Sequence, residues 1–396
     1  MGGFEAIVSQ VAGDQMNLNQ VRDEAAVSIW HLVDSPALWV SFASFAVAWL
    51  TVLTQRYHGR FSIDGDTGIQ KFHTNPTPRV GGLAIGSGAA CAYLITPSGD
   101  FQYLLWPLLV AGIPAFLFGL IEDLTKEVSV TVRLVATMVS GFTAWMITGN
   151  SISSVHVWGL DYLLGFTAFS VLFTAFAVGG IANAVNIIDG FNGLASGTVI
   201  IIFLGLALIN LQLADVELAR ICVLFTAITF GFFVVNWPWG KLFLGDGGAY
   251  FLGFAVAWTS VLMMARHPEI SAWALLVTCA YPILEVGFSV WRRKKRHLNA
   301  GDPDRLHLHS LVKRRFIWQL MPNATNGVRN SMTGATMWLA ALLPVFLATK
   351  FWNNTPALMA CCVGLVVLYS LIYGRLTQFR WCIIPARNRP ISGVAR

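Results

Sequence analysis

The chain has 396 residues, 56% hydrophobic and only 12% charged, with a formal net charge of +6. A soluble domain carries about 25% charged residues, so this composition excludes an ordinary soluble globule and points to a polytopic membrane protein. The basic residues flank apolar runs, an arrangement that suits anionic lipid headgroups and argues against nucleic acid as a partner.

Residues 1–35 are polar, contain Asp14, Asp23, Glu24 and Asp34, and lack the basic start and apolar stretch of a signal peptide. They read as an extracytoplasmic tail. Eleven apolar runs follow, near 36–54, 80–97, 101–120, 131–148, 162–182, 195–213, 218–236, 248–266, 270–291, 334–350 and 356–374. Each is long enough to approach the ~30 Å thickness of a bilayer core. The expected fold is an all-α integral membrane protein of about eleven transmembrane helices. Residues 36–374 make one polytopic domain, 292–333 a large loop, and 375–396 a basic tail. Of the 26 Lys and Arg, all but Arg22, Arg220, Arg266 and Lys350 fall in alternate gaps or the C-terminal tail. The positive-inside rule then places the N-terminus outside and the C-terminus in the cytoplasm. The six cysteines show no metal or disulfide spacing and read as small packing residues.

Five polar clusters interrupt the apolar chain, all expected on the cytoplasmic side. The first, from Lys71 and His73 through Pro76-Thr77-Pro78-Arg79 to Gly81-Gly82, is a rigid turn into a glycine-bared helix start. The second, Glu122-Asp123 with Lys126, can hold a metal and a phosphate together, because Mg²⁺ takes carboxylate oxygens plus substrate phosphates. It also reads as a solvated helix end. The third, Asn183, Asn186 and Asp189, stacks three polar groups along one helical face. Such groups are costly in lipid and belong to a polar cavity or a helix–helix contact. The glycines after it allow a tight turn. The fourth is Gly245-Asp246-Gly247-Gly248, where Asp246 is a metal ligand or an N-cap at a phosphate-receptive helix start. In the fifth, Asp302, Asp304, Arg305, His307 and His309, the arginine and alternate histidines would clamp a diphosphate. No third or fourth ligand stands nearby at zinc spacing.

These five motifs resemble those of the polyprenyl-phosphate N-acetylhexosamine-1-phosphate transferase family, over about residues 60 to 315. The sequence departs from the family pattern at Glu122 (for Asp), Asn192 (for Asp) and Ser310 (for His). The resemblance implies transfer of a sugar-1-phosphate from a UDP-N-acetylhexosamine, UDP-GlcNAc above all, to undecaprenyl phosphate, with release of UMP, at the bacterial inner membrane. It implies Mg²⁺ as cofactor, with Mn²⁺ as a substitute, and allows a homodimer. It further implies Asp246 as metal ligand, with Asp123, Glu122 and Asp189 as catalytic carboxylates and Asp123 preferred as base. Lys71, Lys126, Asn183, Asn186, Asn192, Arg305, His307 and His309 would bind substrate. The histidine-run motif of the peptidoglycan branch is absent. Two rivals stand beside this reading: a secondary transporter, which would place its polar groups at the bilayer centre, and a non-catalytic relative, suggested by Asn192 and Ser310.

Overall fold

A long apolar segment can satisfy its backbone inside lipid only as a helix or a closed barrel. Here the apolar runs are rich in Leu, Ala, Phe and Gly, without period-2 alternation, and they fold as helices. The computed structural model describes residues 35–64, 77–96, 99–295, 297 and 306–378. In chain order the helices are α1 (Ser35–Leu53), α2 (Gln55–Ser62), α3 (Gly82–Ile95), α4 (Asp100–Ala111), α5 (Ile113–Thr125), α6 (Val130–Thr148), α7 (Leu160–Leu164), α8 (Thr167–Ile187), α9 (Leu194–Gln212), α10 (Val216–Asn236), α11 (Gly245–Arg266), α12 (Ala272–Thr278), α13 (Ala280–Lys295) and α14 (Leu308–Val312). A π-helical turn, Lys313–Ile317, and α15 (Trp318–Leu320) follow, and then α16 (Asn326–Phe351) and α17 (Thr355–Thr377). Strands β1 (Ile63–Asp64) and β2 (Thr77–Pro78) form one short antiparallel pair.

Among the described residues, nine helices are long and apolar enough to span a membrane, and α12 with α13 makes a tenth span bent by 76°. The protein is thus an all-α, multi-pass membrane protein. The run expected at 80–97 is the shorter helix α3. The run expected at 162–182 becomes a helix over Thr167–Ile187, because α7 and the turn at Gly165 take up its first residues. The basic run after the ninth apolar segment is not loop: Arg292, Arg293, Lys294 and Lys295 form the last turn of α13, where cations complement the helix dipole.

Helix α11 is the central post. Of its most apolar stretch 89% is buried, against 17% for α17. Its N-terminal end is approached so closely that only glycine fits. A Cβ on Gly82 would lie 2.7 Å from Gly248 N, and one on Gly119 would lie 2.5 Å from Gly247 N. Glycine-to-glycine contacts of this kind let α3 and α5 dock backbone against backbone on α11, as small residues do between membrane helices.

At the opposite end of α11, Asp215 caps α10 by accepting from Leu218 N at 3.1 Å. It also accepts from Arg266 Nε at 2.7 Å and pairs with His267 Nε2 at 2.8 Å. Burial alone would raise the Asp215 carboxyl, but the Leu218 N–H, His267 and Arg266 together hold it below the usual range. Because the folded value is depressed, its stabilisation is present above the unfolded pKa and lost as pH falls. Asp215→Asn keeps the capping oxygen but gives up the charge that Arg266 and His267 meet, so it should lower the thermal midpoint by a few degrees at pH 7. The gap between variant and wild type should close below about pH 4. Scanning fluorimetry across pH in one detergent checks this.

Candidate active site

The site is built at the start of α11. Segment 77–81 is tied to the strand of backbone before this helix: Phe243 N donates to Pro78 O at 2.9 Å, and Gly81 N donates to Phe243 O at 2.9 Å. This pairing carries Arg79 to Asp246, where its Nη2 donates to Oδ1 at 3.1 Å. From α6, Arg133 donates to the other oxygen of Asp246. From α8, Asn186 Nδ2 donates to Oδ1 at 3.0 Å, while the Tyr250 hydroxyl, one turn into α11, donates to Asn186 Oδ1 at 3.3 Å. Asp246 is almost fully buried and its charge is answered by two guanidiniums, as a buried carboxylate requires.

Asp123 sits on α5, almost wholly buried. Its Oδ1 accepts from Asp246 N at 2.9 Å and its Oδ2 from Gly247 N at 3.0 Å. It thereby satisfies two of the donors that a helix start leaves open. Arg79 Nη2 stands 3.8 Å from Asp123 Oδ1. Glu122 is less buried: its Oε2 accepts from Val128 N at 2.8 Å and its Oε1 lies 3.8 Å from Arg133 Nη1. Asp189, in the turn after α8, accepts from Gly245 N at 3.2 Å. Burial pushes the Asp189 carboxyl up to about 7, with the charge of Asp246 adding to the rise and Arg79 and the Gly245 N–H opposing it.

The histidines arrive from the far side of the same turn. His309 Nε2 would be 3.7 Å from a Cβ on Gly190, and its ring meets Phe191 edge-on at 5.4 Å. His307 and His309 stack with centroids 5.1 Å apart. Glu285 of α13 lies beneath both, 3.2 Å from His307 Nδ1 and 3.6 Å from His309 Nδ1. Burial depresses the basicity of His309, against the pull of the Glu285 charge.

Asp123, Glu122, Asp189, Asn186, Asp246, His307 and His309 are thus gathered at one end of the bundle. Two expected binding residues lie elsewhere. Asn183 Nδ2 donates to Thr137 Oγ1 at 3.0 Å and to Gly179 O at 2.7 Å, so the structure uses it to pack α8 on α6. Asn192 Nδ2 donates to Ser331 Oγ at 3.0 Å and Pro238 O at 3.3 Å, tying the turn to α16. Lys126 is an exposed, left-handed C-cap of α5. Lys71 and Arg305 lie outside the described residues. Sequence reasoning missed Arg133, Tyr250 and Glu285, and read Arg79 only as part of a turn. Arg133 and Glu285 carried a usable signal: each is a lone charge inside or beside an apolar run, where ionisable groups face the protein interior.

The donor set bears on a metal. Among the described residues no three His, Cys, Asp or Glu side chains are arranged to hold an ion by themselves. Asp189 Oδ2 nevertheless accepts from the N–H of Gly245, the residue just before Asp246, and the two carboxylates feel each other's charge. This is a fit for Mg²⁺, which takes one or two carboxylates and completes its shell with water and substrate phosphates.

The profile of the family described as Glycosyl transferase family 4 matches residues 105–264, a stretch that contains Glu122, Asp123, Arg133, Asn186, Asp189 and Asp246. An undecaprenyl-phosphate alpha-N-acetylglucosaminyl 1-phosphate transferase from Yersinia pestis is 29% identical over 255 residues, covering 62% of this chain and 68% of that protein. A probable undecaprenyl-phosphate N-acetylglucosaminyl 1-phosphate transferase from Bacillus subtilis (strain 168) is 28% identical over 279 residues, 67% of this chain and 75% of its own. A decaprenyl-phosphate N-acetylglucosaminephosphotransferase of Mycobacterium tuberculosis (strain ATCC 25618 / H37Rv) is 28% identical over 270 residues, covering 60% of this chain and 65% of that protein. With the matched segment holding the buried carboxylates and their arginines, the comparisons liken this chain to the polyprenyl-phosphate N-acetylglucosamine-1-phosphate transferases of glycosyl transferase family 4.

Proposed function

We propose that this protein transfers N-acetylglucosamine-1-phosphate from UDP-N-acetylglucosamine to undecaprenyl phosphate, releasing UMP at the cytoplasmic face of a bacterial inner membrane. The observation that carries the reading is the convergence of Arg79, Arg133 and Asn186 on Asp246 at the N-terminus of α11. Cations and an amide around one carboxylate at a helix N-terminus make a receptor for phosphate and a hard cation.

An oxygen of the acceptor phosphate attacks the sugar-linked phosphorus. The bond from that phosphorus to the bridging oxygen breaks, and the electron pair leaves with UMP. With a dianionic acceptor no net proton is transferred. Asp246 and Asp189 would hold Mg²⁺, which supplies charge compensation for the diphosphate when bound. Arg79 and Arg133 exchange their carboxylate contacts for phosphate oxygens, and His307 and His309 align the donor. Both oxygens of Asp123 are occupied by backbone N–H groups, so its role is to brace the start of α11. Glu122, the more open carboxylate, is the one that keeps the acceptor ionised. The buried Asn192 amide donates to the Pro238 carbonyl, which a carboxylate could not do. This speaks for a structural adaptation and against a disabled site.

The test is UMP release by purified protein supplied with UDP-N-acetylglucosamine, undecaprenyl phosphate and Mg²⁺. Release should require all three and stop with EDTA. UMP formed without the lipid phosphate, or unaffected by chelation, would overturn the reading.

A further inference from the structure

We infer that Glu285 is a positioning residue that fixes the proton on Nδ1 of both His307 and His309 and so turns Nε2 toward the substrate. The inference rests on the transferase reading above and adds a residue that neither the motifs nor the roles given there include.

Glu285 lies on α13, just past the break that bends this span by 76°, and is 1% exposed. A carboxylate at such depth is expensive and persists only with partners. Its Oε2 accepts from Leu308 N and faces His307 Nδ1, each at 3.2 Å. Its Oε1 is buried without a hydrogen bond, and His309 Nδ1 is 3.6 Å away. An ionised carboxylate can only accept. A proton on Nδ1 is therefore the arrangement that gives Oε2 a donor from His307 and turns the nearest donor, on His309, toward Oε1, and it leaves Nε2 as the nitrogen each ring offers elsewhere. For His309 that nitrogen lies at the Asp189–Gly190 turn, 3.7 Å from where a Cβ on Gly190 would stand. Tyr281, one turn before Glu285, closes the other side of His309, its hydroxyl 3.5 Å from Nδ1. One carboxylate thus sets the orientation of two rings that share a stack.

Glu285→Gln keeps the size and one acceptor but adds a donor, so it favours the opposite tautomer. In the full-length protein, with UMP release as the assay, Glu285→Gln should lower kcat by about 10²-fold or more, as loss of a tautomer-fixing carboxylate does elsewhere. KM for the UDP-sugar should stay within about threefold, and Glu285→Asp should restore part of the rate. A purely structural role would reduce activity equally in any background. In a His307→Ala/His309→Ala protein, Glu285→Gln should therefore cost nothing further, because its effect runs through the rings. A full additional loss there, or an unchanged kcat in the single variant, overturns the inference. A readout independent of turnover separates this from failure of the transferase reading. In ¹⁵N-histidine-labelled protein, two rings should show protonated Nδ1 and change to protonated Nε2 in Glu285→Gln. The same tautomers in both proteins would also overturn it.

Discussion

Asp246→Asn is expected to lower kcat by about 10³-fold or more while the protein still inserts and folds. The side chain keeps its volume but loses the charge on which Arg79, Arg133 and Asn186 converge. Two guanidiniums then face a neutral amide, and the carboxylate proposed to hold the cation is gone. UMP release measured beside a thermal melt separates chemistry from folding. A variant within tenfold of wild type would remove Asp246 from the reaction. The melt should still fall modestly, because Arg133 is largely buried and loses its strongest partner.

Gly245→Ala should be as damaging, by a different route. Gly245 has φ +73°, a left-handed conformation that glycine adopts without penalty and alanine does not. A Cβ there would also overlap the Arg79 carbonyl oxygen and stand 2.5 Å from Asp123 Oδ2. Making room requires moving the carboxylate that braces the first N–H groups of α11, or the backbone that delivers Arg79. The expected result is loss of folded yield, or folded protein with activity reduced by more than about 10²-fold, since backbone strain and overlap together exceed an ordinary point substitution. Gly287→Ala is the control: it lies in α13 with nothing within 4 Å of the added carbon. It should leave both yield and turnover unchanged. Normal activity in Gly245→Ala would show that the start of α11 can shift without consequence.

Much of this was legible before the structure because membranes simplify the reading. Apolar runs of sufficient length and without period-2 alternation have one available backbone solution, the helix, and polar residues at their ends are conspicuous against an oily background. That is why Asp246, Asp189, Asn186 and the Glu122–Asp123 pair emerged from spacing and composition. What sequence could not supply was direction. Asn183 and Asn186 lie one turn apart, yet the first packs against Thr137 while the second meets Asp246. The choice depends on where α6 and α11 stand relative to α8. Asp123 looked like the better base because it matches the family residue, but only the approach of α11 shows that its oxygens are already taken. Arg133 lies ten residues beyond Asp123 in the next helix and Glu285 within a later span. No local motif links either to the site; tertiary packing does.

The burial of α11 along most of its length, against the mostly exposed or half-buried α17, divides the molecule by how freely its residues can drift. Along α17, Leu, Val, Ile and Phe are interchangeable to first order, because lipid tails impose no shape on the face they touch. Along α11, the same exchanges change volume inside a closed packing, where even one methylene is felt. A library randomised over the two helices would thus return many working sequences from the peripheral one and few from the central one. The central helix records the enzyme's chemistry. The peripheral one records chiefly the thickness and fluidity of the membrane in which the protein resides.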